Sequence, residues 1–413
     1  MGKENRIGGT MDKFIKWQKN NLPKSTDVKC AEILSLEEVT KARKFHESFP
    51  EYEMTPLVEL NKLAKYLGLA SFYVKDESYR FGLNAFKVLG GSYSMGKYLA
   101  SKLGKDISEL GYRELTSDEI KNQIGSITFY TATDGNHGRG VAWTANRLKQ
   151  NSVVYMPKGS SEYRLKAIKN EGAEASITNM NYDDAVRLAA EDARVNNGLI
   201  VQDTAWDGYT EIPTWIMQGY GTMALEAIEQ LKGYRVEKPT HVFVQAGVGS
   251  LAGAVQGVVV NAFGPEVKTV IVESNLADCL YKSSVAGDGK PHNVGGDMQT
   301  IMAGLACGEP NIISWEILKT YSDTFVSCPD WVAANGMRIL GNPLRGDKQV
   351  ISGESGAVTT GLVFEIMTNP EYRELKESLK LDENSKVLVF STEGDTDPDK
   401  YREIVWLGAY AKF

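Results

Sequence analysis

The chain has 413 residues, 42% of them hydrophobic and 24% charged, with a formal net charge of −7. That length holds two or three domains, or one large α/β unit with an inserted lobe. The composition suits a soluble globular protein, and the acidic balance argues against a nucleic-acid binder or an anionic-membrane binder.

At the start of the chain, MGKENRIGGTMDKF lacks the apolar run of a secretory signal, and Arg6 stands where a myristoylation motif needs Ser or Thr. From residue 71 onward, apolar β-prone runs alternate with helical patterns. The expected strands are SFYVKD (71–76), SITFYTA (126–132), NSVVYM (151–156), EASIT (174–178), GLIVQD (198–203), THVFVQA (240–246), VKTVIVE (267–273) and KVLVFST (386–392). Helical spacing occupies 161–172, 183–198 and 214–233, with Gly172 and Gly198 as expected stops. Such alternation predicts an α/β fold of parallel-rich twisted sheets with helices on both faces. Breaks near residues 92 and 211 divide it into a large domain, 1–91 with 212–413, and a smaller lobe, 92–211. The most apolar stretch, 250–264, is too short and interrupted to span a bilayer. Four cysteines without a CxxC pair and four scattered histidines predict no metal site and suit a reducing, cytoplasmic setting. Cys279 and Cys307 are expected to be buried free thiols, with meeting in space as the alternative.

Three motifs carry possible chemistry. In NAFKVLGGSY (84–93), Asn84 is a plausible helix N-cap, which sets Lys87 in the first turn. Positive charge there opposes the helix dipole, so the site favours a neutral or Schiff-base amine. In TATDGNHGRG (131–140), a strand, a glycine turn and a helix start expose backbone N–H groups that attract an anion, yet Asp134 sits within the turn. Aspartate there serves as a helix cap, as a base or as the partner of a substrate ammonium. In AGVGSLAG (246–253), glycines after a strand let the backbone approach a phosphate at the next helix start. The same piece fits a dinucleotide turn, with Glu273 ending the next strand where a ribose-binding acid belongs.

In this order, with GYGTMALE (219–226) between them and a hydroxyl-ended strand last, the motifs resemble the tryptophan-synthase-β-like family of pyridoxal-phosphate enzymes, fold type II. The resemblance spans about residues 55–395 and extends to KDESYRFGLNAFK, QDTAWDGYTEIPTWIMQGY, NVGGDMQTIMAGLACGEP, ISGESGA and STEGDTD. It implies that Lys87 holds the aldehyde of pyridoxal 5'-phosphate. Gly247, Val248, Gly249, Ser250 and Leu251 would bind the phosphate, and Asn136 the ring oxygen beside the aldehyde. Thr392, or else Ser391, would face the pyridine nitrogen, where a neutral hydroxyl favours elimination over transamination. The turn of Thr133, Asp134, Gly135 and His137 would take the substrate α-carboxylate. The family's dehydratases usually carry a small residue where Asp134 stands. A carboxylate there suits a substrate with a second ammonium, 2,3-diaminopropionate, and gives a base on the face away from Lys87. Asp203 is implied as a second group for the β-amino nitrogen. The expected reaction is α,β-elimination of ammonia from D- and L-2,3-diaminopropionate. The resemblance also implies a homodimer. The alternatives are a serine or threonine dehydratase on the same scaffold, a nicotinamide-dependent oxidoreductase and a non-catalytic amino-acid sensor.

Overall fold

A computed structural model describes residues 14–133 and 135–412; Asp134 lies outside the described residues. The strands in chain order are β1 Lys16–Lys19, β2 Leu57–Glu59, β3 Ser71–Asp76, β4 Thr128–Ala132, β5 Asn151–Met156, β6 Glu174–Ile177, β7 Leu199–Ile200, β8 His241–Gln245, β9 Lys268–Ser274, β10 Thr324–Cys328 and β11 Lys386–Ser391. Among the described residues they form two sheets, a seven-stranded one ordered β1-β10-β9-β8-β11-β3-β2 and a four-stranded one ordered β6-β5-β4-β7. In the large sheet β10, β9, β8, β11 and β3 run parallel, and the edge strands β1 and β2 are antiparallel to their neighbours. The small sheet is parallel throughout. The parallel α/β architecture is therefore present.

The pleat of the large sheet explains its apolar runs. Val242 and Val244 of β8 point into one core with the Glu211–Gly233 and Ser250–Phe263 helices. Phe243 points into the other, with the Asp330–Gly341 and Glu354–Thr368 helices. Both faces are covered, so the strand reads as continuously hydrophobic rather than alternating. Each side chain so buried contributes roughly 1.5–3 kcal/mol.

Three strands escape the sequence pattern. β1 and β2 are short edge strands, and β10 has a polar Ser327 whose hydroxyl donates to Asp278 Oδ2 at 2.8 Å. The expected strand 198–203 closes at Ile200. Beyond it the Gln202 side chain takes over the ladder, accepting from Ala132 N at 3.0 Å and Thr131 Oγ1 at 2.9 Å. Gly198 does not make the left-handed helix stop expected of it. Asn197 does, at φ 52°, while a Cβ on Gly198 would meet the Tyr130 ring at 2.4 Å. Gly172 fits its expected role, at φ 96° just beyond the Glu162–Asn170 helix.

Candidate active site

The carboxyl ends of neighbouring parallel strands face one cavity, the usual ligand position in such folds. β3, β8 and β11 lead to Lys87, to the Gly247–Gly249 loop and to Thr392; from the small sheet, β4 leads to Asn136 and β7 to Asp203. These residues line the cavity together with Val248, Ser250, Leu251, Phe86, Tyr220, Gln245, Ser355 and Glu393. A wall of Gly304, Leu305 and Cys307 closes one side.

Lys87 is itself the N-cap of the Val88–Lys102 helix. The expected cap, Asn84, instead adopts φ 60° and donates from Nδ2 to Asp395 Oδ1 at 3.1 Å. The segment leading to Lys87 is clamped by an ion network with no solvent exposure. Arg80 binds Glu77 at 2.8 Å and Glu226 at 2.7 Å, and Lys75 binds Glu226 at 2.7 Å.

Lys87 Nζ lies 3.0 Å from Asp203 Oδ2, which also accepts from Tyr220 OH at 3.2 Å. Burial pushes the Asp203 carboxyl up, but the Lys87 charge, with His137 and the Lys87 and Tyr220 hydrogen bonds, outweighs it and holds the group down at about 2. Asp203 is thus an ionised, buried counter-charge for the amine. Its carbonyl oxygen accepts from Ser250 Oγ, whose oxygen accepts from Asn311 Nδ2 at 2.8 Å, so the glycine loop and the lysine's partner are tied together.

The 247–251 loop is built for an oxygen-rich ligand. Gly249 caps the Ser250–Phe263 helix at φ 102°, and among the described residues no side chain caps its first-turn amides. A Cβ on Gly249 would stand 2.7 Å from Ser314 Oγ. A helix start left uncapped in this way favours an anion.

The 133–137 turn is built differently. Thr133 Oγ1 accepts from Gly135 N at 2.9 Å and Gly138 N at 3.0 Å, and takes neither the Asn136 nor the His137 amide. The His137 ring is buried and bridges by Nε2 to Val201 O at 2.8 Å, bracing the turn against the strand that delivers Asp203. The Asn136 side-chain amide donates to Glu393 Oε2, across the two sheets' loops. Glu393 Oε1 accepts from Ser355 N at 3.2 Å. Next to it, burial first and then the Glu393 charge push the Glu354 carboxyl up to about 7. The reading of Asp134 falls outside the described residues.

Sequence reasoning missed Glu393, Gln245, Tyr220 and Ser355 as site residues. Gln245 carried a signal, a polar residue closing an otherwise apolar strand. Ser355 and Glu393 carried only the resemblance of ISGESGA and STEGDTD, since no residue pattern assigns either side chain a role. Glu273 is not a ribose-binding acid. It is fully buried and accepts from the amides of Leu280 at 2.8 Å and Tyr281 at 2.6 Å, capping the next helix. That removes the oxidoreductase's second requirement. Cys279 and Cys307 are buried free thiols. Among the described residues no group of His, Cys, Asp and Glu could hold a metal ion, and no helix is long and apolar enough to cross a membrane.

The cavity fits pyridoxal phosphate on its own terms. It offers an amine, an uncapped glycine loop and two buried polar atoms, Gln245 Oε1 and Ser355 Oγ, with no hydrogen-bond partner among the described residues. Comparison with known proteins agrees. Residues 49–393 match the pyridoxal-phosphate dependent enzyme family. The chain is 55% identical to the diaminopropionate ammonia-lyase of Salmonella typhimurium, over 89% of this chain and 91% of that one. It is 53% identical to that of Escherichia coli K12, over 92% and 94% respectively. The crystal structure of the Escherichia coli diaminopropionate ammonia lyase in complex with D-serine superposes with a TM-score of 0.90 at 49% identity, covering 97% of this chain and 99% of that chain. The family match over residues 49–393, with 53–55% identity along nearly the whole of both relatives, places this protein in the pyridoxal-phosphate-dependent enzyme family, among the diaminopropionate ammonia-lyases.

Proposed function

We infer that this chain catalyses the pyridoxal-phosphate-dependent α,β-elimination of ammonia from 2,3-diaminopropionate, yielding, with one water, pyruvate and two molecules of ammonia. The observation that carries the reading is the Lys87–Asp203 pair at 3.0 Å, facing the uncapped 247–251 loop within one cavity. Pyridoxal phosphate, when bound, supplies the electron sink that spreads the negative charge left at the substrate Cα.

The chain's own groups do the rest. Lys87 Nζ would anchor the cofactor aldehyde, the amides of residues 247–251 would hold the phosphate, Asn136 would address the ring oxygen and Thr392 the ring nitrogen. The 133–137 turn binds the substrate carboxylate through its backbone, with Thr133 stiffening the turn. Asp203, ionised and buried, holds the proton on the released lysine amine or on the β-nitrogen, which must leave as neutral ammonia. The two enantiomers present Cα–H to opposite faces of the ring. Lys87 serves the L form, and Asp134, next to Gly135 in the chain, serves the D form. The D-serine complex of the Escherichia coli relative supports a site that admits D-amino acids. We further propose two domains, 1–91 with 212–413 and 92–211, and a homodimer, which rests on the family resemblance. A cytoplasmic setting is supported by the buried cysteines Cys279 and Cys328, which are in no disulfide.

The test is kcat/KM for both enantiomers in wild type and Asp134→Asn. The variant keeps size but loses the base, so the D reaction should fall by roughly 10²–10⁴-fold and the L reaction far less. Equal losses would overturn the two-base assignment. Faster turnover of serine or threonine than of either diaminopropionate by the wild type would sink the substrate reading.

A further inference from the structure

Gln245 closes β8 and is fully buried. Its Nε2 lies 3.0 Å from the Phe390 carbonyl oxygen and 2.8 Å from Thr392 Oγ1. A carbonyl oxygen can only accept, so the contact to Phe390 identifies the nitrogen end of the amide and removes the ambiguity of its orientation. That nitrogen therefore donates to Thr392 as well. The Thr392 hydroxyl, 3% exposed and lining the cavity, must accept from Gln245. Its own single proton has no acceptor among the described residues, and leaving it unpaired in a buried site is costly.

We propose that Gln245 is a positioning residue that turns the Thr392 hydroxyl into an obligatory donor toward the cavity, so that the cofactor's ring nitrogen is held as an unprotonated acceptor. This rests on the pyridoxal-phosphate reading with Thr392 at that nitrogen. A protonated ring nitrogen would itself need an acceptor. Thr392 could serve only by leaving its own proton without a partner. The arrangement sets how strongly the ring withdraws electrons, through a residue that touches Thr392 and need not touch the reacting atoms.

The test reconstitutes the enzyme with pyridoxal phosphate labelled with ¹⁵N in the ring, and reads the ¹⁵N shift and the cofactor dissociation constant. The wild-type shift should lie on the unprotonated side. Gln245→Met keeps length and loses the donor; it should move the signal downfield and weaken cofactor binding about three- to tenfold, the loss of one neutral hydrogen bond. Thr392→Val should do the same, Thr392→Ser should restore both readouts, and the double variant Gln245→Met/Thr392→Val should be no worse than Thr392→Val alone. If Gln245→Met matches wild type while Thr392→Val moves both readouts, Gln245 positions nothing and the cofactor reading stands. If Thr392→Val moves neither, the cofactor orientation itself is wrong. Should Gln245→Met fail to fold, the wild-type signal decides alone, since a shift in the pyridinium range overturns the proposal.

Discussion

The two glycine turns of the site share a plan and differ in one respect. Each follows a parallel strand, β4 or β8, and each starts a helix. The 247–251 turn has no side-chain cap, so its first-turn amides wait for a ligand. The 133–137 turn is partly satisfied from within, since the Thr133 hydroxyl takes the amides of Gly135 and Gly138. An uncapped helix start is tolerable when its ligand is resident, as a cofactor phosphate is. A turn that empties at every catalytic cycle is better with some of its donors held. On the proposed roles of the two turns, the contrast teaches that similar strand–glycine–helix units differ in how much of the first turn the chain itself holds, which suits a lasting anion at one and a passing anion at the other.

That contrast can be tested from both ends and from the middle. The largest effect is expected between the turns, at Lys87. Lys87→Ala should lower kcat by more than the roughly 10²–10⁴-fold of a lost general base, because the cofactor anchor goes with it, while far-UV circular dichroism stays unchanged. Near-normal turnover with cofactor added would remove the lysine from its role. On the resident side, Gly249→Asp forces a side chain onto a residue at φ 102° and sets a negative charge beside the phosphate. Strain of about 1–3 kcal/mol plus repulsion should weaken cofactor retention at least about tenfold, read as cofactor content after dialysis. Unchanged content would place the phosphate elsewhere and end the comparison. The smallest effect is expected on the transient side. Thr133→Val removes the internal cap, should cost about 0.5–2 kcal/mol in urea unfolding, and should raise KM for the amino acid without changing cofactor content. A loss of cofactor instead would show that both turns serve one ligand.

Much of the fold was legible because the strands of a sheet covered on both faces are long apolar runs, and β3 and β5 were located to the residue. β10 was not, since the polar Ser327 interrupts its apolar run, and the short antiparallel edges were not, since a strand of three or four residues has too few positions to show a period. The site was legible where a backbone need dictates a residue. Gly249 must be glycine at its positive φ, and a strand–glycine–helix unit advertises an anion. It was illegible where side chains act on other side chains. Nothing local in the sequence tells that Glu393 will receive the Asn136 amide, or that Tyr220 will donate to Asp203.

The sequence by itself determined the parallel α/β class, the presence of a strand–glycine–helix turn at 246–253 and, through the family resemblance, the cofactor. These are properties of short segments, set by hydrophobic period, glycine freedom and residue chemistry. Only the tertiary structure decided that Asp203 is the ionised partner of Lys87, that Glu273 caps a helix instead of binding a ribose, and that Gln245 fixes which way the Thr392 proton points. Those outcomes depend on burial and on contacts between residues far apart in the chain. Charge state and hydrogen-bond direction are set by such surroundings, and no local pattern encodes them.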